Sequence, residues 1–163
     1  MLVRGHQRAV FSLALRMLCD RHRAEDLAQE VFLQLHRRLA QVQSDTHLVF
    51  WLRKVTTNLA IDRLRQEHRY EASSLDDEPG IVDESVERDP MLQRNLEDLV
   101  SQLPPAARAV VLLRFQEDMD PVEIAEALDM PVNTVKSHLR RSVAWLRERF
   151  VGPAGTEVEA VRT

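Results

Sequence analysis

The sequence predicts an all-α fold: two small helical domains joined by a flexible acidic linker, the second domain a helix-turn-helix. Three observations carry this expectation. Glycine is limited to 4 residues while leucine, alanine, arginine and glutamate are plentiful, a composition that favours helix over strand. Apolar residues recur at three- and four-residue spacings through both halves of the chain, the period of one face of a helix. Residues 71–90, EASSLDDEPGIVDESVERDP, break that pattern with Pro-Gly, paired serines and no apolar stripe, the composition of a flexible connection. The expected division is a domain over 1–70, a linker over 71–90, a domain over 91–150 and a frayed tail over 151–163.

In the first domain, Val10, Leu13 and Met17 with Phe11, Leu15 and Leu18 predict a helix over Val3–Leu18. Leu27, Val31, Leu35 and Leu39 share one face of a second helix, Glu25–Leu39. A polar loop follows over Gln41–His47. Leu48, Leu52, Val55 and Leu59 then share the inner face of a third helix, Leu48–His68. In the second domain Leu92, Leu96, Leu99 and Leu103 give one helix, ended by Pro104-Pro105, and Ala106–Phe115 a second. Asp120-Pro121-Val122-Glu123 then sets a cap, a first-position proline and a back-reaching glutamate in order, a strong start signal for Val122–Leu128. Asp129-Met130-Pro131 breaks that helix, and Asn133 is expected to cap a last one running to Phe150.

The hydrophobic fraction of 44% is enough for a packed core. No apolar run is long enough to span a bilayer and no secretory pattern opens the chain, so a cytoplasmic protein without membrane insertion is expected. The single cysteine, Cys19, excludes an intramolecular disulfide and a cysteine-based zinc site, and its place after an apolar run suggests an inert buried residue. The histidines are scattered, with no metal-binding pair, phosphate loop or nucleophile motif. Neither an enzyme nor a bound cofactor or metal is expected.

The net charge of −4 argues against nucleic acid only as a total. Residues 1–70 are basic, with twelve Lys and Arg against seven Asp and Glu, and the acid concentrates in 71–90, with eight against the single Arg88. Local patches govern attraction to phosphates. Val122–Leu128 and Thr134–Phe150 form a helix-turn-helix pattern, with Ile124, Leu128, Val135 and Leu139 inside and small Ala125 at the crossing. Lys136, Ser137, Arg140 and Arg141 face away from that core and suit groove and phosphate contacts, or else the solvated face of an ordinary helical hairpin. Along Leu48–His68, Trp51, Lys54, Asn58, Asp62 and Arg65 recur on one side. An aromatic among basic residues and an amide suits unstacked single-stranded DNA, although Trp51 is equally a core residue by spacing. A stripe of Asp26, Gln29, Glu30 and Leu33 is either a dock for a basic partner helix or a solvated face. A helix-turn-helix regulator acting without polymerase would need only the second domain.

Four blocks resemble a known family in order and spacing. HRAEDLAQEVFLQLHRRL, FWLRKVTTNLAIDRLR, LPPAARAVVLLRF and EIAEALDMPVNTVKSHLRR are similar to the extracytoplasmic-function sigma factors of bacteria, and the likeness covers nearly all of Arg8–Phe150 outside the linker. The resemblance implies binding to core RNA polymerase, through its β′ coiled coil and β flap, and to promoter DNA, with an anti-sigma factor as a further partner. It implies that Asp26, Gln29, Glu30, Phe32 and Leu33 dock polymerase. The loop over Val42–His47, with Val42, Ser44 and Asp45, would capture a flipped base of the minus-ten element, and Asn58 would line that pocket beside Trp51, Lys54 and Arg65. Arg114, Thr134, Lys136, Ser137, Arg140 and Arg141 would face the minus-thirty-five element. This chain departs from the family's pattern in four places. The family usually carries one more helix ahead of the position of His6, so a less stable first domain is expected. Val42 stands where an aromatic is common, Asn133 where glycine is usual, and His138 where arginine is frequent. The acidic linker is expected to compete with DNA phosphates, leaving the chain a poor binder of promoter DNA without polymerase.

Overall fold

A computed structural model describes residues 2–73 and 92–160, with side chains over 4–70 and 96–150. The linker therefore lies largely outside the described residues. The described chain is helical with no strand: α1 Leu2–Leu18, α2 Arg21–Arg38, a short 3-10 turn Leu39–Gln41, α3 Asp45–Ser73, α4 Leu92–Ser101, α5 Pro105–Phe115, α6 Pro121–Leu128 and α7 Val132–Ala160.

The first unit is α1, α2 and α3 packed on one another. Val10, Leu13, Ala14, Met17 and Leu18 of α1 meet Ala24, Leu27, Val31 and Leu35 of α2, all buried. Helix α2 begins one turn before its expected start at Glu25. Asp20 caps it, its carboxylate accepting from the Arg23 N–H at 3.0 Å, and a cap satisfies a donor that the apolar stripe alone does not reveal. The stripe also ends sooner than expected: Leu39 enters the 3-10 turn and is 46% exposed. The Gln41–His47 loop is shorter than its sequence suggested, because the Ser44 hydroxyl accepts from the His47 N–H at 3.2 Å and starts α3 at Asp45.

Helix α3 buries a different face from the expected one. Leu48 and Leu52 are buried, but the next turns bury Thr56, Thr57, Ala60 and Ile61, while Val55 and Leu59 are half-buried. The reason is that α3 is packed on two sides, against α1 and α2 and also against α5 and α6. Cys19 is likewise not buried. It is exposed in the turn after α1 at φ 56°. Asp118 and Asp129 hold the same left-handed conformation, at φ 52° and 53°. The turns after α1, α5 and α6 thus each use a left-handed residue without a glycine, and aspartate tolerates that region better than most side chains.

In the second unit the start of α6 is as the sequence dictates. The Asp120 carboxylate accepts from the Glu123 N–H and the Glu123 carboxylate from the Asp120 N–H, both at 2.9 Å, with Pro121 in the first turn. Asp120→Ala removes one half of this box and is expected to cost about 1 kcal/mol, a fall in the unfolding midpoint of roughly 2–4 °C by calorimetry. Asn133 does not cap α7. The N–H groups of Thr134 and Val135 both donate to the Pro131 carbonyl, at 3.0 and 3.1 Å, so the helix starts at Val132 and Asn133 lies inside its first turn. Helix α7 also continues past Phe150, through Gly152 and Pro153, to Ala160.

Leu103, Ala107, Val111 and Leu146 form a small cluster of their own with Leu99 and Trp145. Most of α5 and α6, including Val110, Leu113, Met119, Ile124 and Ala127, instead joins the core of the first unit. The two units are packed directly against each other.

Candidate nucleic-acid interface

Three surfaces carry the residues singled out in the sequence. On α2, Asp26 and Gln29 are exposed, Leu33 is 60% exposed and Phe32 is half-buried against the core. Gln29, Phe32 and Leu33 line an open groove between α1 and α2, completed by Gln7, Phe11, Glu25 and Ala28. The stripe is therefore a projecting leucine and polar groups on an apolar floor, a shape that accepts a helix. Glu30 is the exception. Its carboxylate takes the Arg63 guanidinium of α3, and with the neighbouring Arg23–Glu67 pair it ties α2 to α3. Glu30 is part of the scaffold as well as of the stripe.

On α3, Lys54 and Arg65 are exposed, and Trp51 is half-buried at the edge of the core. Val42 is half-buried against the same core, Ser44 caps α3, and Asp45 is the first residue of that helix rather than a loop residue. Asn58 is half-buried. Its amide Nδ2 donates to the Ala127 carbonyl of α6 at 2.9 Å. That carbonyl belongs to the last turn of α6, where backbone oxygens have no partner within the helix.

The third surface is the start of α7. Thr134, Lys136, Arg140 and Arg141 are exposed and Ser137 is half-buried, around a core of buried Ile124, Leu128 and Val135 with Leu139 half-buried. The capped α6, the left-handed Asp129 and the Pro131 carbonyl start of α7 set the two helices in a helix-turn-helix with its basic side outward. Arg114 lies half-buried at the end of α5. Its guanidinium donates to the Met119 carbonyl at 3.4 Å and is 3.8 Å from Asp118.

Two residues that the sequence reading passed over hold the units together. Arg108 of α5 is buried and donates to the Met17 carbonyl at the end of α1, and also to the carbonyls of Ser101 and Leu103. Burial pushes this guanidinium below its ordinary value, and the nearby Cys19 thiol opposes that shift. Glu117 accepts from Arg53 Nε at 2.7 Å. An arginine inside the apolar run AARAVVLL was a visible signal, since a buried guanidinium requires partners.

Comparison with known proteins settles the family. Residues 2–70 match the family described as Sigma-70 region 2, and residues 93–146 match Sigma-70, region 4. The chain is 33% identical over 153 residues to the RNA polymerase sigma-E factor of Streptomyces coelicolor, covering 91% of this chain and 84% of that one. The chain belongs to the extracytoplasmic-function sigma factors. It is also 33% identical over 153 residues to the ECF RNA polymerase sigma factor SigE of Mycolicibacterium smegmatis, covering 90% of this chain but spanning only 59% of that longer relative. Among solved structures, the sigma factor RpoE in complex with the anti-sigma factor NepR from Bartonella quintana shares the fold, with a TM-score of 0.69 at 18% identity over 90% of this chain and 92% of that one. Within this sigma factor the region 2 match coincides with α1–α3 and the region 4 match with most of α4–α7.

Proposed function

We infer that this sigma factor binds core RNA polymerase and directs it to particular promoters, recognising and opening them. The observation that carries the reading is the presence, in order on one chain, of both sigma regions, with a projecting stripe on α2 and an outward basic face on α7. In this reading Asp26, Gln29, Leu33 and part of Phe32 take the β′ coiled coil of polymerase. Asn58, Trp51, Lys54 and Arg65, with the Val42–Asp45 turn, take the minus-ten element. Thr134, Lys136, Ser137, Arg140 and Arg141, supported by Arg114, read the minus-thirty-five element. The β flap would meet the second unit. An anti-sigma factor, the kind of partner seen with the structural neighbour, would be the protein's antagonist. No described helix is long and apolar enough to cross a membrane, and work with polymerase would place the chain in the cytoplasm.

Transcription in vitro tests this reading. Core polymerase with the purified chain on a promoter library is expected to give transcripts whose start sites share one minus-ten and one minus-thirty-five sequence. Output no greater or more selective than that of core polymerase alone would refute it.

A further inference from the structure

Thr56 and Thr57 are neighbours on α3 and both are fully buried, but their hydroxyls are used differently. The Thr57 hydroxyl turns back along the helix and donates to the Arg53 carbonyl at 2.7 Å, a common outlet for a threonine inside a helix. The Thr56 hydroxyl has no protein partner. A buried hydroxyl left unpaired gives up its hydration with nothing in return, so a partner that is not part of the chain is called for.

Thr56 lines a cavity of about 50 Å³ in the seam between the two units, where α1 and α3 meet the turn between α5 and α6. Val10 and Leu52 supply apolar wall, and His6, Arg53 and Glu117 bring polar groups. Three properties of this space select an occupant. The first is size. A water needs roughly 10–15 Å³, whereas a cavity that takes benzene has about 150 Å³, and ordinary ligand sites begin near about 300 Å³. The second is charge. Arg53 Nε donates to the Glu117 carboxylate at 2.7 Å, so the two neutralise each other and a bare ion would meet no surplus of opposite charge. The third is hydrogen bonding. A hydroxyl both donates and accepts, a carboxylate and a guanidinium each have further positions beyond the one bond between them, and a neutral imidazole adds a donor and an acceptor.

We propose that this cavity is a built hydration site: ordered water, anchored by the Thr56 hydroxyl, bridges it to the Glu117 carboxylate and the His6 ring. Water is small, neutral and able both to donate and to accept, and two to four polar partners are what fix it in a protein interior. An enclosed apolar void would stay dry; this one has a fully buried hydroxyl and an ion pair in its wall. Thr56 is then a ligand of the water and not a packing residue. Helix α1, helix α3 and the α5–α6 turn are joined at this point through solvent, in addition to the direct Arg53–Glu117 bond. The site is a property of the fold and holds whatever the chain binds.

The test uses the full chain and reads water directly. Oxygen-17 relaxation dispersion counts slowly exchanging waters and is blind to labile protein hydrogens. Thr56→Val replaces the hydroxyl by a methyl group with the same branching at the β-carbon. It is expected to lose at least one slow water and to melt about 2–4 °C lower. Thr56→Ser keeps the hydroxyl and should keep the water. A dry cavity predicts the opposite sign, because removing an unpaired hydroxyl relieves the fold and raises the melting temperature. A Thr56→Val chain with the wild-type water count overturns the proposal, as does one that melts above wild type. Should Thr56→Val fail to fold, xenon decides on the unaltered chain. Dry apolar cavities take it up, so xenon-induced shifts at the Val10 and Leu13 methyl groups would overturn the proposal, and unshifted methyl signals are expected.

Discussion

Asp26→Lys combined with Leu33→Glu is expected to lower affinity for core RNA polymerase at least about tenfold, or about 1.4 kcal/mol, with helical content unchanged. The two positions lie two turns apart on the same exposed stripe of α2. Neither takes part in a described hydrogen bond or ion pair with the rest of the fold, so the loss should appear in binding and not in stability. Glu30 is the tempting third position, but Glu30→Lys would also place a cation against Arg63 and loosen α2 from α3. A pull-down with core polymerase, beside a circular dichroism melt, separates the two effects. Wild-type affinity in the double variant would remove the stripe from the docking assignment.

Asn58→Ala and Lys136→Ala are expected to damage different parts of promoter recognition. A base-specific contact is worth about 1–3 kcal/mol of discrimination, so each variant should lose roughly tenfold or more at its own element. Asn58→Ala should impair opening and minus-ten selectivity and leave minus-thirty-five preference alone. Lys136→Ala should do the reverse. Permanganate footprinting of the open complex and selection from randomised promoters provide the two readouts. Loss at the same promoter positions in both variants would refute the division of labour. Asn58→Ala also removes a seam contact, so its defect should be read in the holoenzyme.

Most of the fold was legible in the sequence because its signals are local. The Asp120–Glu123 box, the Pro104-Pro105 stop and the leucine periods act within a turn or two of chain, and the structure places α4, α5 and α6 where they direct. Several of the misses share one physical origin. The engagement of Asn58 and the role of Arg108 depend on one unit lying against the other, and α3 meets α5 and α6 as well as α1 and α2. No periodicity within α3 announces a second packing surface. Cys19 was missed for a local reason: its apolar approach suggested burial, but the left-handed turn that ends α1 carries it to the surface. The docking stripe was readable as a stripe, whereas Glu30's bond to Arg63 spans 33 positions and was not.

The seam between the units has a consequence for unfolding. Buried residues of α5 and α6 belong to the same apolar core as those of α1, α2 and α3, so the two units share one interior instead of keeping one each. Loosening either unit uncovers apolar surface of the other, which couples them in a single cooperative melt.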